Sequence, residues 1–289
     1  MIEATVAILV AKTLSSKTDG ERLLRLLSSH LPQHLPERFG DAEPLNSKFD
    51  PRNFHSALDV WGKFNFIAER LHPRVLLQVL FWPPVSRDPR HSSIALIRFQ
   101  SEQDIDIERL SAFVEEVTST FEADYAVAHI LTATELEDRL ENLRHRATSW
   151  PQAPAESTVA RLRRRIDKEG FASVLWSMDM AQNCTVQLRK CLQDLYWLNV
   201  FGSPYVEMFG RERLLATPGF AVKELSNSSI SVRLAGVLND TDSCWKTFKT
   251  ARDKCKIHLA CDAFFNPQAP ADYVYRSPNF NFPLEMYKR

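Results

Sequence analysis

Few residue sets in this chain have the types and spacing to do chemistry, and each points to a different reaction. Asp194, Glu207 and Glu212 are carboxylates within one short stretch. Two of them flanking a bond could act as the acid and base of glycoside hydrolysis, where the carboxyl separation decides the outcome. Cys255 and Cys261 bracket His258, from which a thiol nucleophile could be built. A reactive thiol also needs a depressed pKa and partial exposure, which a sequence does not display. The eight histidines, at 30, 34, 55, 72, 91, 129, 145 and 258, form no paired helical ligand spacing. His129, alone in a predicted strand, reads as a satisfied core or edge residue rather than a ligand. No phosphate-binding loop, dinucleotide fingerprint, HExxH, GxSxG or calcium loop occurs. The five cysteines, at 184, 191, 244, 255 and 261, contain no CxxC pair, so no common zinc site is expected, and no cofactor. They read as reduced, partly buried thiols of a cytoplasmic protein.

Binding residues are denser than catalytic ones. Asp194 to Phe220 holds Trp197, three phenylalanines, two tyrosines, three glycines and two prolines. Trp, Tyr, Phe and Arg are the side chains enriched at interface cores. Trp197, Phe201, Phe209 and Leu214 read as core. Tyr196, Asn199, Tyr205, Glu207, Arg211 and Arg213 carry polar ends that want partners, and they are the candidate binding residues. The stretch itself reads as an aromatic-rich turn feeding a short helix.

The elements that must position these residues follow from periodicity. Glu3–Leu14 suits a strand. Thr18 and Glu21 have capping-box spacing before a helix whose stripe is Leu23, Leu24, Leu26, Leu27 and Leu31. Residues 37–53 read as loop, and Phe54–Arg70 as an inserted helix ended by His72-Pro73. Arg74–Trp82 and His91–Phe99 are strands, Asp104–Phe121 a helix, Tyr125–Leu131 a strand and Thr134–Arg146 a helix. The fold class is therefore α+β, the first half a ferredoxin-like βαββαβ unit with a helical insertion, residues 1–147. A linker follows at 148–168, containing the Pro-rich Thr148–Val159 and the basic run Arg161–Arg165. Residues 169–289 form a second α+β half: strand 171–180, helix 184–195, the aromatic stretch, strands 220–225 and 230–234, and a helix over 242–259. A proline-spaced tail then lies extended over the surface. The second half loosely echoes the first without any residue-level repeat.

Composition limits the partners. In 289 residues, 36 Lys plus Arg balance 36 Asp plus Glu, and 44% of the chain is hydrophobic. A neutral, ordinary globular composition argues against general nucleic-acid binding. The N-terminal apolar run is about seven residues long, follows Glu3 and has no basic flank, so neither a signal peptide nor a membrane span is expected.

The stretch also carries a resemblance. Leu195, Tyr196, Trp197, Asn199, Phe201, Gly202, Pro204, Tyr205 and Val206, then Gly210, Arg211, Glu212, Leu214, Leu215 and Pro218, resemble a group of bacterial proteins of unknown function with an LYWxNxFGxPYV segment and a following GRExLL. More weakly, the segment is similar to immunity proteins of polymorphic-toxin and type VI secretion loci. That resemblance implies a cytosolic, non-catalytic protein that binds and blocks a protein toxin. The alternative is an enzyme with a pocket between the halves near Glu207 and Arg211.

Overall fold

The computed structural model describes residues 3–138 apart from 11, 13, 64, 82–94 and 103, and residues 191–279 apart from 193, 238–240, 267–268 and 271. The expected linker at 148–168, the basic run Arg161–Arg165, the strand at 171–180, and most of the helices expected at 134–146 and 184–195 lie outside the described residues.

Strand β1 (Glu3–Val10) leads into helix α1 (Lys17–His30). The helix starts one residue before the expected cap: Ser16, not Thr18, is the N-cap, and its hydroxyl accepts from the Asp19 N–H at 3.1 Å. Leu23, Leu24 and Leu27 are buried as the stripe requires. Then come β2 (Arg38–Gly40), β3 (Ser47–Lys48), the short α2 (His55–Asp59), β4 (Asn65–Arg70), β5 (Val75–Phe81), β6 (Ala95–Ser101), α3 (Ile107–Phe121) and β7 (Tyr125–Leu131). After residue 191 the described chain forms β8 (Leu198–Phe201), α4 (Ser203–Phe209), α5 (Arg211–Leu215), β9 (Ala221–Glu224), β10 (Ile230–Arg233) and α6 (Asp242–Leu259).

Three expectations are corrected. The helix over Phe54–Arg70 stops at Asp59, and its second half is strand β4. Gly62 stands between them at φ +78°, where a Cβ would lie 2.2 Å from the Ser15 carbonyl oxygen. Past that turn, Phe66 and Ala68 obey strand alternation on the buried face, which the 3–4 spacing had imitated. The loop at 37–53 contributes two short strands, β2 and β3, the latter at the edge of the sheet. The aromatic stretch contains a fully buried strand, β8, before its helices.

Among the described residues the strands make one ten-stranded sheet in the order β3-β2-β4-β5-β6-β1-β7-β8-β10-β9. Every neighbouring pair is antiparallel. The protein is thus α+β with a large antiparallel sheet and several helices. Register puts Leu77, Phe99, Val6 and Ala128 in one row across β5, β6, β1 and β7. That face packs on α3, with Phe99 and Phe113 edge-to-face at 6.0 Å. The same register puts Gln100, Thr5 and His129 in a row on the opposite face, and all three are buried. A single hydrophobic cluster runs from Val6 and Leu23 through Trp197 and Phe201 to Phe264. No helix of the described residues is long and apolar enough to cross a membrane.

Candidate functional site

The aromatic stretch is folded around Asn199, at the centre of β8. Asn199 sits opposite Val127 of β7 and Val232 of β10 and is fully buried. A buried primary amide is costly unless its hydrogen bonds are met. Here Oδ1 accepts from the Tyr196 N–H at 3.0 Å and the Tyr125 hydroxyl at 3.1 Å, and Nδ2 donates to the Tyr196 carbonyl at 2.8 Å. Burial, with Tyr196, Tyr205 and Asp194 nearby, pushes the Tyr125 phenol well above its usual range, so it stays protonated and donates.

Gly202 then lets the chain turn. A Cβ there would come within 2.1 Å of the Ala123 carbonyl, and its N–H donates to the Asp124 carbonyl at 2.9 Å. Pro204 follows in the first turn of α4, where its missing N–H is harmless. Tyr205 returns into the core, 5.2 Å from the Tyr125 ring and 6.3 Å from Phe201. The four residues expected as core, Trp197, Phe201, Phe209 and Leu214, are buried.

The six candidate residues fall into two groups. Tyr196, Asn199 and Tyr205 point inward and are buried. Glu207, Arg211 and Arg213 are exposed on α4 and α5. Arg211 makes a two-nitrogen ion pair with Glu224 of β9, its Nε at 3.0 Å. That hydrogen bond, and then the charge, holds the guanidinium above and the Glu224 carboxyl below their ordinary values. Arg213 donates to the Leu259 carbonyl at 3.1 Å.

Asp194 is held by Arg252 at 3.0 Å and Lys256 at 3.3 Å on α6, whereas Glu207 and Glu212 lie exposed on α4 and α5. His258 bonds the Arg213 carbonyl at 2.8 Å, so its Nε2 is a donor there and not a base. Cys255 is buried, bonded to the Pro218 carbonyl at 3.5 Å, and burial pushes its thiol up to about 11. That is the reverse of what a thiolate nucleophile needs. Among the described residues no three His, Cys, Asp or Glu side chains are grouped to hold a metal ion.

His129 is the satisfied core histidine its strand suggested. Its Nδ1 accepts the Trp197 N–H at 3.2 Å, which leaves Nε2 to donate to Glu135 at 2.7 Å, with both side chains buried. Sequence reasoning missed Glu135. Its signal was Thr132-x-x-Glu135, a capping-box spacing directly after β7, and the Thr132 hydroxyl does accept the Glu135 N–H at 3.2 Å. Phe248 of α6 covers the imidazole at 5.4 Å.

Two open grooves are found among the described residues. One, of about 940 Å³, runs between residues 133–138 and the first two-thirds of α6, past Trp245, Lys249 and Asp253. The other, of about 600 Å³, lies between α1 and α2 beside Arg25, Arg52 and His55. Neither is lined by any of the six candidate residues.

No protein family matches the chain. No curated protein matches it either. Among solved structures it is similar to a T6SS protein of Pseudomonas aeruginosa, at 9% identity and a TM-score of 0.49, over 96% of this chain and 78% of that one. A likeness at that level carries no argument about function.

Proposed function

We propose that the protein binds another protein and, as an immunity-type protein, neutralises a cognate toxin in the cytoplasm. The observation that carries this reading is the division of the aromatic stretch. Its inner residues Tyr196, Trp197, Asn199 and Tyr205 are buried, while Glu207, Arg211 and Arg213 stand on two short helices beside β9 at the end of the sheet. Next to them Phe220 is 60% exposed and is held by the Arg233 guanidinium, 5.0 Å from its ring. An ordered, exposed aromatic ring among paired charges is what an interface anchor requires, because little side-chain freedom is left to lose on binding. Cys255 and Cys261 are thiols outside any disulfide, which accords with a reducing compartment. We also read β1, β5, β6 and β7 with α1 and α3 as a ferredoxin-like unit, supported by the spatial order β5-β6-β1-β7.

The test is co-production with the toxin encoded beside this protein's gene. Rescue of growth and a co-eluting complex are expected. Phe220→Ala should weaken the complex by about tenfold or more with an unchanged melting temperature. If the full-length protein neither rescues growth nor co-elutes, the reading is wrong.

A further inference from the structure

The outer edge of β9 has a definable hydrogen-bonding register. The β9–β10 hairpin closes with the Ser228 N–H on the Leu225 carbonyl at 3.0 Å and the Leu225 N–H on the Ser229 carbonyl at 2.8 Å. Hydrogen-bonded pairs alternate along an antiparallel ladder, so Lys223–Ser231 and Ala221–Arg233 are the pairs bonded to β10. Val222 and Glu224 therefore turn their N–H and C=O groups away from the sheet. Among the described residues β9 is the last strand at this end, and Ala221, Lys223 and Glu224 are exposed. Lys223 reaches the Glu115 carboxylate on α3 at 2.8 Å with its side chain 61% exposed, while Glu224 lies on the other face beside Arg211.

Two of the three self-pairing registers of this edge set like charges against each other. A two-fold axis at Lys223 sets Lys223 against Lys223 of a second copy. An axis at Glu224 opposes two glutamates, and one at Val222 sets Glu224 against Phe220. Like charges directly opposite destabilise a strand pair. We propose that β9 is a strand-addition site for an extended, antiparallel segment of a partner protein, with an acidic residue opposite Lys223 and an apolar one opposite Val222. This rests on the protein-binding reading above and specifies its mode. The backbone of Val222 and Glu224 would supply the bonds, and Lys223, Phe220 and Arg211 would select the sequence.

The probe is the peptide acetyl-Thr-Lys-Asp-Val-Thr-Val-amide added to the full chain, followed by amide hydrogen exchange. Its Lys and Val amides face β9 when Asp stands opposite Lys223. At saturation the Val222 and Glu224 amides should exchange at least about tenfold more slowly, while amides already bonded to β10 change little. Replacing the peptide's Asp by Lys should weaken binding about threefold or more. Val222→Pro removes only an outward N–H and should abolish the peptide effect. If that variant does not fold, N-methylation of the peptide's Lys and first Val amides removes the same bonds without touching the protein, and should abolish binding equally. Unchanged exchange at Val222 and Glu224, or slowing that depends on protein concentration without peptide, overturns the proposal. A Val222→Pro protein that folds and still neutralises the toxin also overturns it while leaving the immunity reading intact. A wild-type chain that fails to neutralise the toxin overturns that reading and leaves the peptide result standing.

Discussion

Asn199 shows how much one side chain can hold when water is excluded. Asn199→Leu keeps the volume but removes the hydrogen bonds that Asn199 makes to the Tyr196 N–H and C=O and to the Tyr125 hydroxyl. Urea unfolding should show a loss of about 3 kcal/mol or more. Trp197→Ala, at a fully buried ring, should cost about 3–5 kcal/mol in the same assay. The thiols separate by environment: native protein treated with a maleimide near neutral pH should label exposed Cys261 and spare buried Cys255. His34 gives a pH signature. Burial, and then the Arg70 charge, lowers its pKa below 6.5, and its Nδ1 lies 2.9 Å from the Ser101 hydroxyl. Below about 6.5 the unfolded chain takes up a proton that the folded one resists. The His34 contribution is therefore full above that pH and is lost as pH falls through the folded pKa. His34→Gln should flatten that part of a stability–pH curve.

Elements with one strong period were legible from the residues. Helix α6 has the bounds its Trp245, Phe248, Cys255 and Leu259 stripe implied, and β7 runs from Tyr125 to Leu131 as expected. Those segments bury one helical face or a whole strand, so burial and period agree. β4 and β8 were missed for different reasons. In β4 a chance helical spacing crossed a turn at Gly62. In β8 four residues are buried on both faces between β7 and β10, so no alternation survives, and glycine and proline stand just beyond. The candidate site was legible as a list and not as a geometry: nothing local reveals that Asn199 faces Tyr125 or that Arg211 meets Glu224. At the β9–β10 turn, Ser228 has φ +63°, a conformation that costs a residue with a Cβ. Ser228→Gly should raise stability by about 0.5–1 kcal/mol in thermal unfolding, the relief at the turn exceeding the added freedom of the unfolded chain.

At the scale of the molecule, the pairing of β7 with β8 joins the two ends of the described chain into one sheet over one core. Cooperative loss of both is expected, so calorimetry and Trp fluorescence should report a single coincident transition. Two separated transitions would mean that the halves melt independently. The same junction has a consequence during synthesis. β7 ends at Leu131 and its partner β8 begins at Leu198, roughly seventy residues later. A ribosome adds about 5–20 residues per second, so for several seconds β7 can pair with β1 while its other edge waits for β8. Every residue of β7 is buried in the finished fold. During that interval an apolar strand edge faces the crowded cell interior, open to wrong partners and to chaperones. Slowed translation between those two points, or truncation before Leu198, should therefore raise aggregation even where the earlier elements have already formed.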